Sequence, residues 1–308
     1  MSKSIFTAPQ FNDEAAAYAF VEANLWPEGP VCPHCKTVGR AGRLQGKSNR
    51  PGLWKCYACR KPFSVKVGTI FEASHIAMRD WLAAIHLICS SKKGISANQL
   101  HRTLGITLKS AWFMAHRIRE AMKPGRMSPM GGEGGFVEVD ETYYGRKDEK
   151  PKGETGVGTK HAVVALVERG GRVRSLYMPA LRRKDVHDLI KNRVSPDAHV
   201  RIDESVLYFG VENLVASHAT VNHSRREYVK GDASTNTIEG VFGIFKRGMT
   251  GTYQHCGVQH LRRYLNEFDF RYSNRKALGI GDEGRAVKAL KGASGKRLTY
   301  RTTSRPAV

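Results

Sequence analysis

No stretch of this 308-residue chain is an uninterrupted apolar run of the roughly 18 residues that would make it a candidate membrane-crossing helix. The opening Met1-Ser2-Lys3-Ser4-Ile5-Phe6 carries no apolar signal core either,. Acidic residues are scarce, 28 Asp and Glu against 50 Lys and Arg, leaving a formal charge of +22. Such a balance points to a polyanionic partner, with nucleic acid ahead of the bland alternative of a basic ribosome-associated protein. Cysteine is scarce too. Of six, four form two Cys-x-x-Cys pairs, and Cys89 and Cys256 stand alone. That pattern does not suit a disulfide framework and fits metal binding in a reducing cytoplasm.

What is present divides the chain, whose length suits two or three domains. Residues 1–25 hold one amphipathic helix behind an Asn12/Asp13 cap, with a packing role only,. Cys32-Pro33-His34-Cys35 and, after twenty intervening residues, Cys56-Tyr57-Ala58-Cys59 form two knuckles able to offer four thiolates to tetrahedral Zn²⁺,. Residues 26–70 are therefore expected to be a zinc ribbon whose structural metal contributes directly to folding, because so short a segment buries little core. Trp54, Tyr57 and Phe63 are expected to pack beside the knuckles.

Helical periodicity governs 76–123. Gly94–Leu104, the turn Gly105-Ile106-Thr107 and Leu108–Arg119 read as helix, turn, helix, with Thr107 capping the second helix,. In a DNA-binding helix-turn-helix that second helix enters the major groove. Ala111, Trp112, Ala115 and Ile118 would face inward, leaving Lys109, Ser110, His116, Arg117 and Arg119 for phosphates or base edges. The competing reading is an ordinary helical hairpin with solvated charges. Residues 124–135 break all periodicity and read as a linker.

Residues 136–283 read as an α/β domain with a mixed sheet. Its expected elements are strands at 136–140, 161–167 and 173–178, a helix at 185–194, a strand ending at Asp203, a short apolar run at 213–217 and a helix over 234–247. Asp140 and Asp203 close strands, and Glu239 lies near the start of the last helix. Acids so placed can converge on a divalent cation, and hard cations such as Mg²⁺ take carboxylates together with substrate phosphates. Lys246, seven residues or about two turns past Glu239, shares its face and suits a DNA phosphate, with Arg247 beside it. Asn236 is on that side as well, although Asn236-x-x-Glu239 is also the spacing of an N-cap and its reciprocal acid. His223 could orient DNA or a carboxylate, but a lone His in a polar run is more often solvated. Residues 258–272 form a closing amphipathic helix, and 284–308 read as a flexible basic tail able to touch the DNA backbone.

The strings Val137-Glu138-Val139-Asp140-Glu141-Thr142-Tyr143-Tyr144-Gly145, Asn222–Val229, Thr235-Asn236-Thr237-Ile238-Glu239-Gly240 and Phe245-Lys246-Arg247, with the order of parts, resemble the zinc-ribbon, ISXO-like DDE transposases of bacterial insertion sequences. That resemblance implies an RNase H-like catalytic domain in which Asp140 and Asp203 bind Mg²⁺ or Mn²⁺. The third ligand is either Glu239 or Asn236, with Lys246 trailing. It also implies double-stranded DNA as partner, both element ends and target, a dimer or higher assembly on DNA, and a place in the bacterial cytoplasm at the nucleoid. The expected reaction is nicking at the element end to free a 3′-OH, then transesterification into target DNA. Two rivals stand beside it: a DNA-binding regulator with an inactive domain, and a nuclease that cuts without joining.

Overall fold

The computed structural model describes residues 4–46, 49–146, 159–203, 205–221, 229–230 and 233–299. The chain divides into two compact units, residues 1–123 with 281–308, and residues 124–280.

In the first unit Asp13 accepts the Ala16 N–H at 2.7 Å and starts α1 (Glu14–Leu25),. This helix does more than pack. Glu14 accepts the Met78 N–H at 2.7 Å and the Arg79 N–H at 3.2 Å, capping α2 (Met78–Ser90), whose own N-cap residue, Ala77, has no side chain for the purpose. Farther along α1, Glu22 accepts the Trp54 indole N–H at 2.8 Å and pairs with Arg43. It thereby holds β1 (Ala41–Arg43) and β2 (Trp54–Cys56), which with β3 (Pro62–Phe63) form an antiparallel three-stranded ribbon.

The helix-turn-helix spacing is realised locally. Helix α3 (Ala97–Leu104) ends on Gly105 at φ 65°, in the left-handed region that glycine enters without a Cβ penalty,. Thr107 then accepts the Ser110 N–H at 3.2 Å to start α4 (Leu108–Met122). The inward face departs from expectation. Ala111, Ala115 and Ile118 are buried, but Met114 takes the place of Trp112, and His116, Arg117 and Arg119 are buried as well. Arg117 donates to the Ile70 carbonyl at 2.9 Å and lies over the Phe113 ring, and burial pulls its pKa down. A single apolar stripe describes a helix with one covered face. Here α2, α3 and the C-terminal α8 (Asp282–Lys291) all contact α4, and His116, Arg117 and Arg119 are enclosed.

Helix α8 is itself a correction to the tail expected from 284. Acids in its first turn and lysines in its last match the helix dipole,. Ala289 and Leu290 are buried, and Arg285 donates to the Cys89 carbonyl at 2.6 Å. Beyond it, Lys296 donates to the carbonyls of Ala121 and Lys123 at the end of α4.

The second unit is built on a five-stranded sheet of β4 (Phe136–Tyr144), β5 (His161–Glu168), β6 (Val173–Met178), β7 (His199–Asp203) and β8 (Ser217–Val221). The order is β6-β5-β4-β7-β8. The β4–β5 and β5–β6 pairs are antiparallel, whereas β7 joins β4, and β8 joins β7, in parallel. Alternation sends Val137, Val139, Val200 and Ile202 to one face, packed with Val186 and Ile190 of α5 (Arg183–Arg193),. The opposite face carries α6 (Asn236–Gly248) and α7 (Val258–Ser273), which pack on Val163, Ala165 and Val167. A short antiparallel pair, β9 (Val229–Lys230) and β10 (Ala233–Ser234), precedes α6.

Three expectations shift here. Strand β4 continues to Tyr144, so Asp140 stands within it and not at its end. The apolar run at 213–217 is no strand: a 3-10 turn covers Val211–Asn213 and β8 begins at Ser217. The 124–135 linker also enters the core, where Met130 is fully buried and its N–H donates to the Arg193 carbonyl at 2.7 Å.

Replacing Leu290 by Ala should cost about 2–5 kcal/mol, the usual range for truncating a buried leucine, read as a lowered urea midpoint. An unchanged midpoint would return this segment to a loose tail.

Candidate functional site

The two knuckles of the ribbon share one backbone design. Cys32 N–H donates to the Thr37 carbonyl at 3.0 Å and Cys56 N–H to the Lys61 carbonyl at 3.1 Å. The residue after each second cysteine, Lys36 at φ 64° and Arg60 at φ 61°, is left-handed. These turns bring all four Sγ atoms within 4.8 Å of one another, with Cys32–Cys59 and Cys35–Cys56 each at 3.6 Å. A tetrahedron with Zn–S bonds of about 2.3 Å has an edge of about 3.8 Å, so the donor set fits zinc. The Thr37 hydroxyl, bonded to Cys35 Sγ at 3.3 Å, is the main influence drawing that thiol down to about 6, toward the thiolate a metal needs,. Trp26, Trp54 and Phe63 pack around the cysteines, whereas Tyr57, expected among them, is exposed and lies against Gly42.

The carboxylates gather on the second unit. The β4–β7 pairing matches Phe136 with His199 and Glu138 with Arg201, an offset of 199 − 136 = 63. Continuing that register sets Asp203 beside Asp140 on the neighbouring parallel strand. Both then point to the α6 face, two residues from positions that already face it. Asp140 accepts the Glu141 N–H at 2.7 Å, and Asp203 accepts the Ser205 N–H at 3.0 Å. Burial, joined by the negative charges of Asp203, Glu141 and Glu239, lifts Asp140 to about 7,. The other two expected acids therefore both bear on Asp140. Among the described residues, however, the cysteines alone bring three or more ligand atoms within 4.8 Å of one another, so the acids are gathered without being closed into one cage.

The remaining expected residues sort by exposure. Glu239 is exposed on α6 and accepts the Thr235 hydroxyl at 3.1 Å. Asn236 is the first helical residue, exposed, and Thr235 is the N-cap, so Asn236 does not cap α6. Lys246 and Arg247 are exposed near the C-terminal end of the same helix, and the Arg247 guanidinium folds back toward Gly243. On α4, Lys109 is exposed and Ser110 half-buried in the cap. His116, Arg117 and Arg119 are withdrawn from the surface. His223 lies outside the described residues.

Two acids outside the expected site, Glu138 and Glu141, prove central. Glu138, fully buried, accepts Arg169 Nε at 2.9 Å with one oxygen and the Ile238 N–H at 2.9 Å with the other. It thus fixes the first turn of α6 to the strand two residues before Asp140. Glu141 accepts the Tyr208 hydroxyl at 2.6 Å, and burial, then Asp203, holds its carboxyl above the usual range although that hydroxyl pulls the other way. A buried polar residue within an apolar strand was the available signal for Glu138.

The model of the ISXO2-like transposase domain of IS1595 matches residues 133–273, and that of the transposase zinc-ribbon domain matches 12–62. The chain resembles the zinc-ribbon ISXO2-like transposases. A relative described as an uncharacterized protein in transposable element ISH50, from Halobacterium salinarum, is 26% identical over 281 residues, 85% of this chain and 91% of its own length. These domains are those of an insertion-sequence transposase. No helix among the described residues is long and apolar enough to cross a membrane.

Two measurements test the site. Elemental analysis should find one zinc per chain, and Cys56→Ser should lose it and change the Trp26 and Trp54 fluorescence; retained zinc would point to other ligands. For Asp140 the raised acid favours the protonated folded state. In zinc-loaded protein without Mg²⁺ or Mn²⁺ that stabilisation is complete below about 3.8, its ordinary value, and lost as pH rises through about 7,. Asp140→Asn should therefore be the more stable protein at pH 8, by up to a few kcal/mol at about 1.4 per pKa unit. Denaturation curves with equal pH slopes for the two proteins would oppose this.

Proposed function

We propose that residues 124–280 are an RNase H-like catalytic domain of the DDE type, and that the chain is a transposase that cuts and joins DNA. The observation that carries this reading is the parallel register of β4 and β7, which continued past Glu138 and Arg201 sets Asp203 beside Asp140, with Glu239 close enough to bear on the Asp140 carboxyl. The strand order, a three-strand antiparallel run extended by two parallel strands with helices on both faces, supports the fold assignment.

All-oxygen donors suit a hard cation, and an open cluster leaves positions for substrate phosphate oxygens. Two divalent cations, Mg²⁺ or Mn²⁺, would activate the attacking oxygen of an in-line displacement and stabilise the leaving one. Asp140 and Asp203 are assigned as their ligands. Glu239 is assigned as the third, because its charge reaches Asp140 and its helix is pinned beside that residue by Glu138. Asn236, exposed one turn earlier, is the alternative that mutation must exclude. Lys246 and Arg247 meet DNA phosphates, as do Lys109 and Ser110 at the start of α4. The zinc ribbon and the α3–α4 pair are read as DNA-holding parts, and a formal charge of +22 supports a polyanion across these surfaces,.

In this scheme water attacks the phosphodiester at the element's end and frees a 3′-OH. That hydroxyl then attacks target DNA, so no covalent protein intermediate forms. Holding two element ends calls for a dimer or higher assembly on DNA.

Purified protein, a labelled element-end duplex, a plasmid target and Mg²⁺ or Mn²⁺ test the proposal. Asp140→Asn and Asp203→Asn should each lower cleavage and joining by roughly a thousandfold or more while leaving end binding intact. Glu239→Gln should fall with them and Asn236→Ala should not. Cutting without joining would favour the nuclease reading, and binding without either would favour the regulator.

A further inference from the structure

Directly after Asp203 the chain presents apolar side chains to water. Val206 and Phe209 are 75% and 72% exposed, the highest values for large apolar residues among those described. The loop bearing them is nevertheless braced on every side. Asp203 accepts the Ser205 N–H, and the Ser205 hydroxyl accepts the Leu207 N–H. Arg183 Nε donates to the Val206 carbonyl at 3.3 Å, and the His187 ring pairs with the Phe209 carbonyl at 3.1 Å. Between the two exposed residues, Tyr208 is buried and anchored on Glu141. Phe209 therefore does not sit outside for want of order.

The Arg183 guanidinium lies over the Phe209 ring at 5.3 Å, itself exposed. The two side chains edge an open cleft of about 400 Å³ on the α5 side of the sheet, lined also by Asp203, Glu212, His218 and Thr220. A rigid aromatic face backed by a cation, at the rim of a cleft that a proposed catalytic acid helps to line, has the make-up of a platform for an unpaired nucleobase. Stacking supplies the affinity, and the cation meets the adjoining phosphate. A base inside a duplex cannot reach such a face without leaving the stack.

We propose that Phe209 and Arg183 hold one unstacked base of the DNA beside Asp203, so that the cleft takes a splayed terminal nucleotide and not a fully paired end. This inference rests on the reading of Asp140 and Asp203 as the DNA-processing site. Its role is positioning: it presents the strand, and Phe209 takes no part in the chemistry.

The test is binding of the full-length zinc-loaded chain, without added Mg²⁺ and without chelator, to two probes. One is a blunt duplex, and the other is the same duplex with two unpaired terminal nucleotides, one of them 2-aminopurine. Wild type should prefer the splayed probe by about tenfold, within the range measured for one stacked base, and should quench the probe's fluorescence on binding. Phe209→Ala should lose the preference and the quenching while keeping blunt-duplex affinity. Phe209→Trp should keep both, which sets aside misfolding. Equal binding of the two probes by wild type, or an undiminished preference in Phe209→Ala, would overturn the proposal. So would a concentration-dependent dimer abolished by Phe209→Ala without change in probe preference, which would make this face a contact between copies. The assay involves no cleavage, so its failure is distinguishable from that of the catalytic reading, which falls if Asp140→Asn still cuts.

Discussion

A buried carboxylate inside the central strand fixes where the second unit can place its chemistry. Glu138 accepts a guanidinium hydrogen from Arg169 with one oxygen and the Ile238 N–H with the other. Left unpaired at that depth, the charge would cost several kcal/mol. The partners therefore have to be present, and one of them is the backbone of α6 at the residue before Glu239. On the strand side, the same spacing of two that turns Glu138 toward the helix turns Asp140 there as well. One hydrogen bond so unites the strand and the helix on which the proposed ligands stand.

Around that bond the fold gathers charges that repel. Burial and the neighbouring acids Asp203, Glu141 and Glu239 work together to hold the Asp140 proton, whereas Arg169 relieves the burial of Glu138. Tyr208 takes part from the other side, donating to Glu141 while its own deprotonation is opposed by burial and by Glu141, Asp140 and Asp203. Acids gathered so that their charges oppose the ionisation of Asp140 are costly as a scaffold, and groups so perturbed cluster at functional sites,.

The first unit solves a different problem, the shortage of apolar residues in its ribbon. Four cysteine sulfurs within 4.8 Å of one another stand at the centre of the ribbon, and the Glu22 contacts with Trp54 and Arg43 join the ribbon to a helix that has a core of its own. The same helix caps α2 through Glu14, so a segment with an unremarkable sequence connects two subregions. Enclosure of α4 by α2, α3 and α8 has a functional consequence. Three of its basic residues become internal structure, whereas Lys109 in its first turn stays exposed.

The sequence by itself determined what is encoded locally. Cysteine spacing defined the ribbon, Gly105 and Thr107 defined the turn before α4, and alternation defined the strands carrying Asp140 and Asp203, because each depends on bonds a few residues long. The tertiary structure alone decided which of those residues meet. That β7 lies parallel beside β4, that Glu138 reaches Ile238 a hundred residues away, and that α8 returns to cover α2 and α4 are long-range pairings without a spacing signal. The basic residues of α4 show the same limit: periodicity tells how side chains are arrayed around a helix, but not how many neighbours will close over it.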